Sequence, residues 1–194
     1  MAKLETRAAI VGIASQLLRV NGFNGTGIDA VLKEAKIPKG SFYYYFKSKD
    51  DLGIAIIENA ANELELKLEQ HLGNLAPPPL ARLRSYFESS IEGQRLSGCT
   101  RGCLFGTLGL ELASRNARLR RRIADVLVRW EGRVASCLEQ AQAAGELAKI
   151  ADARKLAAFT LNSWEGAILR AKIDKSVEPL KRFVDMLFNH ILTE

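Results

Sequence analysis

Apolar residues recur at helical spacing along almost the whole chain. Ile10, Ile13, Ala14, Leu17 and Leu18 form a first stripe, which predicts a helix over roughly residues 4–21 that Gly22 ends. Ile28, Val31, Leu32 and Ala35 repeat the spacing, with Thr26 as the predicted N-cap and Asp29 as its capping-box partner. After Ala35-Lys36-Ile37, Pro38 opens another helix, in which Phe42, Tyr45 and Phe46 share the inward face. Ser48 and Asp51 make a capping box for a long helix to about Leu72, with Leu52, Ile56, Ala60, Leu64 and Leu68 inward. The stretch from Gly73 to Pro79 breaks it. Further stripes run through Leu80, Leu83, Phe87 and Ile91, through Leu119, Ile123, Val126, Trp130, Val134 and Leu138, and through Leu156, Phe159, Thr160, Trp164, Ala167 and Ile168. A last one has Ser176 as cap, Pro179 in its first turn, and Leu180, Phe183, Val184, Leu187, Phe188 and Ile191 apolar. No stretch alternates with the period of a strand and no segment repeats, so the pattern predicts an all-α fold of about nine helices.

The segment from Thr26 to Leu52 organises the rest. Two short helices joined by a tight turn, the second exposed, make a helix-turn-helix. Its outward residues are Lys39, Gly40, Ser41, Tyr43 and Tyr44, with Lys49 just beyond. Ammonium groups and hydroxyls suit phosphates and base edges, and adjacent exposed tyrosines are unusual on an idle surface. The alternative is an ordinary solvated helix. Double-stranded DNA is therefore the expected partner of Thr26, Lys39, Gly40, Ser41, Tyr43, Tyr44 and Lys49. Residues 1–47 are read as the three-helix DNA-binding domain. The long helix joins it to residues 48–194, a second helical domain.

Charge supports this reading. The chain carries a net +6 and a pI near 9.3, and residues 1–50 hold eight Lys/Arg against four acids, which favours a polyanionic partner. Lys3 and Arg7, at the start of the first helix, read first as solvated and second as phosphate contacts. Arg115, Arg118, Arg120, Arg121 and Arg122 form a basic run that is read first as a solvated face and second as a further nucleic-acid patch. No apolar run approaches the roughly 20 residues that span a membrane, and the start lacks a secretory core, so a cytoplasmic protein with no membrane partner is expected. Three cysteines and two histidines give neither a disulfide framework nor zinc spacing. No metal or cofactor is expected.

These residues resemble the DNA-binding domain of TetR/AcrR-type transcriptional regulators. The resemblance rests on Gly22-Phe23, Thr26, Ala35-Lys36-Ile37, KGSFYYYF and Ser48-Lys49-Asp50-Asp51-Leu52. Lys36 stands where the family usually has Gly, in a turn that favours positive φ, and Tyr44 replaces the common His. The resemblance implies a homodimer whose last two helices form the interface, and a palindromic operator read by two recognition helices.

Gly98 to Leu112 is rich in glycine and contains Cys99 and Cys103. By itself Cys103 reads as a small core residue. The string GCLFGTLGLEL, however, resembles a motif of the NemR/AcuR-like, electrophile-responsive subgroup, with Thr107 in place of the usual Asn. That resemblance implies that Cys103 senses a small electrophile and that Lys172 faces the same cavity. Cys99, four residues earlier, would share a face with Cys103 if the segment were helical. Phe105 and Trp164 are candidate pocket walls, with Leu108 and Phe159, against a plain core reading. Cys137 reads as core.

The expected function is thus a repressor released from its operator when a small molecule or electrophile acts on the C-terminal domain. A helical dimerisation protein without sequence-specific DNA binding is the alternative. An enzyme is a weaker one, since the chain shows no nucleophile–base set, no phosphate loop and no metal cluster.

Overall fold

The computed structural model describes residues 2–148 and 152–192. Those residues form nine α-helices with short 3-10 and π segments and no strand. The helices are α1 Ala2–Gly25, α2 Ile28–Glu34, α3 Phe42–Tyr45, α4 Lys49–Leu68, α5 Pro79–Leu96, α6 Leu104–Leu112, α7 Ala117–Ala143, α8 Ala153–Asp174 and α9 Glu178–Met186. A 3-10 turn, Lys39–Ser41, leads into α3, and π segments follow α4 and α9. The all-α expectation therefore holds.

The chain forms two compact units: Met1–Glu63 with Cys103–Val126, and Leu64–Gly102 with Leu127–Glu194. In the first unit, Ile10, Ala14 and Leu18 of α1, Val31 and Leu32 of α2, and Phe42 and Phe46 are buried together with Leu52, Ile56 and Ile57 of α4. Helix α6 packs on α1. In the second unit, α5, α8 and α9 enclose an aromatic cluster. Phe87 lies 4.9 Å from Trp164 and 5.1 Å from Phe183 between ring centroids, and Trp164 lies 5.1 Å from Phe183. Such tilted and edge contacts match ring quadrupoles.

Helix ends follow local chemistry. Lys36 takes the left-handed conformation, φ 55°. Ile37 N–H donates to Leu32 C=O at 3.0 Å, closing a Schellman turn after α2. Asn116 Oδ1 accepts the Leu119 N–H to start α7, and Gly145 at φ 77° ends it. Asp152 Oδ1 accepts from Arg154 and Lys155 to start α8. The expected start of that helix at Ala151 lies outside the described residues.

Several local expectations are corrected. Gly27, not Thr26, caps α2, and no side chain bonds there. The buried Thr26 hydroxyl instead donates to Gly22 C=O at 2.8 Å. Val177 is the N-cap of α9, although Ser176 Oγ accepts the Glu178 N–H at 3.2 Å. Residues 100–103 are irregular and Cys99 has φ 52°, so the common helical face for Cys99 and Cys103 does not form. Phe159 is 51% exposed rather than inward.

Candidate DNA-binding surface and thiol region

Pro38, with φ −58° and ψ 141°, directs the chain into the 3-10 turn, and α3 follows for a single turn before Phe46 becomes extended. Phe42 and Phe46 are buried, fixing which way the segment faces. Tyr43 and Tyr44 are then forced outward, 68% and 65% exposed. Tyr43 packs edge-on to Phe42 at 5.3 Å and Tyr44 edge-on to Tyr45 at 5.1 Å, so both rings are oriented by neighbours. Gly40 is exposed with open space where a side chain would be, and Ser41 is half-buried.

Lys39 is exposed and pairs with Asp29 of α2 at 2.9 Å. The hydrogen bond that Lys39 donates to that carboxylate, then the carboxylate charge, raises the Lys39 pKa above the usual lysine value. Lys49 begins α4 with its ammonium 4.6 Å from the Phe23 ring centroid, a cation–π contact that limits its rotamers. The expected capping box at α4 is present in modified form: Asp51 N–H donates to Ser48 Oγ at 3.1 Å, while Asp51 Oδ2 accepts the Lys47 N–H at 3.2 Å. Arg7 lies over Phe46, 5.1 Å from its centroid. Lys39, Gly40, Tyr43 and Tyr44 are thus exposed on one segment, with Ser41 half-buried among them. Thr26 stands apart from them as a buried residue supporting the start of α2.

Cys103 is the N-cap of α6 and half-buried, and its backbone C=O accepts the Thr107 N–H at 2.9 Å. Phe105, two residues on, is buried in the same unit. At the other end of α6, Glu111 accepts the Phe23 N–H at 3.0 Å and the Asn24 N–H at 2.8 Å. Sequence reading missed Glu111 because its partners lie 88 and 87 residues away, beyond any local pattern.

Trp164 and Lys172 belong to the second unit. Trp164 is 2% exposed in the aromatic cluster, and Lys172 is half-buried near the end of α8. The same unit holds Cys137, whose thiol donates to Pro79 C=O at 3.2 Å. Burial pushes its pKa up to about 11. A pocket of about 190 Å³ beside Cys137 is lined by Glu69, Leu72, Arg133, Ser136 and Gln140, with Arg133 held by Glu69 at 2.6 Å and Glu65 at 3.4 Å. No group of three metal-ligating residues exists among the described residues, and no helix there is long and apolar enough to cross a membrane.

Comparison with known proteins gives these features a context. Residues 10–56 match the family described as bacterial regulatory proteins, tetR family, and residues 79–187 match the tetracyclin repressor-like C-terminal domain. The chain is similar to the transcriptional regulator AcuR of Cereibacter sphaeroides, 39% identical over 176 residues, 91% of this chain and 80% of that one. It is also similar to the transcriptional repressor DhaR of a Mycobacterium species, 31% identical over 192 residues, 99% of this chain and 95% of that one. Its fold resembles the crystal structure of the reduced form of Escherichia coli NemR, with TM-score 0.89, 28% identity and 98% of each chain covered. These proteins are regulators of transcription and not enzymes, and the chain, a DNA-binding transcriptional regulator, belongs to the TetR family.

Proposed function

We propose that this regulator is a homodimeric repressor that holds a palindromic operator through Lys39, Gly40, Ser41, Tyr43 and Tyr44, and releases it when a small electrophile acts at Cys103. The observation that carries the DNA surface is the pair of outward tyrosines, ordered by ring contacts and set beside an exposed lysine on the segment after Pro38. Lys49 supplies a phosphate contact from the start of α4, and Thr26 acts through the α2 turn it stabilises. Residues 1–47 carry the DNA-binding role and residues 48–194 the regulatory role.

The apolar face of α8 and α9 supports the dimer. Phe159, Leu169, Ile173 and Met186 are at least half exposed there, and a concavity of about 350 Å³ is lined by Phe159, Pro179, Phe183, Met186, Leu187 and Ile191. A second copy would cover this face, and the resulting two-fold axis would set two recognition segments on one side of a duplex.

Cys103 is the best placed of the three thiols for an electrophile, since Cys99 and Cys137 are 3% and 2% exposed. Its thiolate would add to the β-carbon of an acrylate-like acceptor. One S–C bond forms, the C=C π bond breaks and its electron pair passes to the α-carbon, which takes up the proton lost from sulfur. DhaR and NemR are repressors, which supports the sign of regulation, and NemR has a reduced form, which supports a redox-sensitive group. Phe105 supports Cys103 from α6, and Trp164 and Lys172 serve the ligand response from α8.

The test selects duplexes from a random pool with the purified protein. Affinity is then measured at fixed salt with and without an acrylate-like electrophile, for wild type and Cys103→Ser. Loss of affinity on treatment in the wild type alone supports the mechanism. Equal loss in both proteins, or none in either, removes Cys103 from it and leaves the DNA-binding function intact.

A further inference from the structure

We propose that Arg115, Arg118 and Arg121 form a second phosphate-binding strip that grips DNA flanking the operator half-site. The inference rests on the DNA-binding reading of residues 39–49. Five arginines and no acid lie between Ala113 and Ala124. Their position follows from two contacts at the start of α4. Asp51 divides its carboxylate between Lys47 N–H, immediately after the recognition segment, and the Arg118 guanidinium at 3.7 Å. Asp50 accepts from the Asn116 side-chain amide at 2.7 Å. The first turn of α7 therefore borders residues 47–51, which carry Lys47 and Lys49.

Compensation of the strip is incomplete. Arg118 meets Asp51, and Arg122 meets Glu58 and Asp125. Arg115 and Arg121 are exposed and have no ion-pair partner among the described residues. Arg118 and Arg121 lie three residues apart on one helix and so share a face, and Arg115 lies in the loop leading to that turn. Guanidinium forks match phosphate oxygens. A phosphate backbone is the partner whose charge density and repeat fit a strip of incompletely compensated arginines beside a recognition segment.

The experiment uses full-length protein and a duplex enriched from a random pool, trimmed to the selected sequence or extended by about ten base pairs, one helical turn, at each end. Arg115→Ala/Arg121→Ala is compared with wild type. Arg154→Ala/Lys155→Ala removes equal charge from the second unit as a control. All four substituted residues are exposed. On the extended duplex, the slope of log K against log salt should become shallower by about 0.9 for each phosphate the protein no longer neutralises. The trimmed duplex and the control should show no such change. An unchanged slope overturns the strip, an equal change on both duplexes overturns its flanking position, and an equal change in the control reduces it to net charge. If wild type enriches no duplex, the DNA-binding reading of residues 39–49 falls as well, which separates that failure from failure of the strip alone.

Discussion

The carboxylate of Glu111 fills the space that a side chain at Gly22 would occupy. Gly22 has φ 75° and ψ 174°, a conformation essentially restricted to glycine, and it breaks α1 so that the next two backbone N–H groups turn toward α6. Glu111 accepts both. Thr26 then ties the same turn to the start of α2 through the Gly22 carbonyl. One glycine and one glutamate thus join α6, whose N-cap is Cys103, to the entrance of the helix-turn-helix.

Two substitutions probe this junction. Gly22→Ala should cost about 2 kcal/mol from the backbone conformation alone, with a further loss as Glu111 is displaced. Glu111→Ala should cost about 1–2 kcal/mol, since it leaves two helix N-terminal donors without their carboxylate. Urea titrations give both values. A Gly22→Ala protein as stable as wild type would contradict the geometry.

This junction also marks how far the sequence is legible. The helices around the recognition segment read directly, because stripes such as Ile28, Val31, Leu32 and Ala35 and the stop at Lys36 are local. The positive φ expected after Ala35 is found at Lys36. The outward set Lys39, Gly40, Ser41, Tyr43 and Tyr44 follows once Phe42 and Phe46 are placed inside. Long-range partners do not read at all. Thr26 has the composition of an N-cap, yet its hydroxyl turns back to Gly22 because that carbonyl lies freed by the kink. Arg82 looks like a surface residue on an apolar stripe. It is buried instead, donating to Leu72 C=O and Gln140 Oε1 at 2.7 Å each. Only the packing of α5 against the π segment after α4, and its bond to Gln140 of α7, reveals it. For the thiol region, the sequence singles out Cys103 by its motif, whereas its position as the N-cap of α6 depends on where that helix starts.

The cysteines should differ in reactivity. Burial raises the Cys137 pKa to about 11, against a favourable influence of Arg82, so near neutral pH almost none of it is thiolate, the reactive form. Limited alkylation followed by peptide mass spectrometry should label Cys103 well before Cys137. The Cys137 rate should climb about tenfold per pH unit toward pH 11. The same shift destabilises the fold in base. The raised folded pKa gives a contribution complete below the unfolded thiol value and lost as pH rises through about 11. Cys137→Ala should blunt that loss. Labelling of Cys137 as fast as Cys103 would place it at the surface.

His71 should report on Lys67. The His71 pKa is lowered first by burial and then by the Lys67 charge, and the imidazole Nδ1 lies 2.9 Å from Ser85 Oγ. Burial likewise lowers the pKa of Lys67, whose ammonium donates to Ser90 Oγ at 2.8 Å. A depressed folded pKa on a base means that the unfolded chain takes up the proton first. Stability conferred by His71 is thus complete above about pH 6.5, its unfolded value, and declines as pH falls through the folded pKa. Lys67→Met removes the like charge and should move the His71 titration upward, which proton NMR resolves readily in a chain with two histidines. A titration unmoved by Lys67→Met would show that the charge is screened.

The recognition surface should separate affinity from stability. Tyr43 and Tyr44 are about two-thirds exposed, so truncating either should alter folding stability by less than about 0.5 kcal/mol. Tyr43→Ala should nonetheless weaken operator binding by about 1–3 kcal/mol if the ring and hydroxyl meet base edges. Tyr43→Phe separates the two contributions by retaining the ring. Lys39→Ala should act differently. A lysine on a phosphate supplies charge and no sequence information, so its removal should weaken all duplexes alike and reduce the salt slope by about 0.9. Asp29→Asn supplies the complementary arm. The Lys39–Asp29 pair is 76% and 70% exposed and adds little to folding. Releasing the ammonium from its carboxylate should therefore leave stability unchanged and tighten DNA binding. If Asp29→Asn weakens binding instead, the carboxylate is aiming Lys39 rather than competing with DNA for it, and the ion pair belongs to the binding surface as a unit.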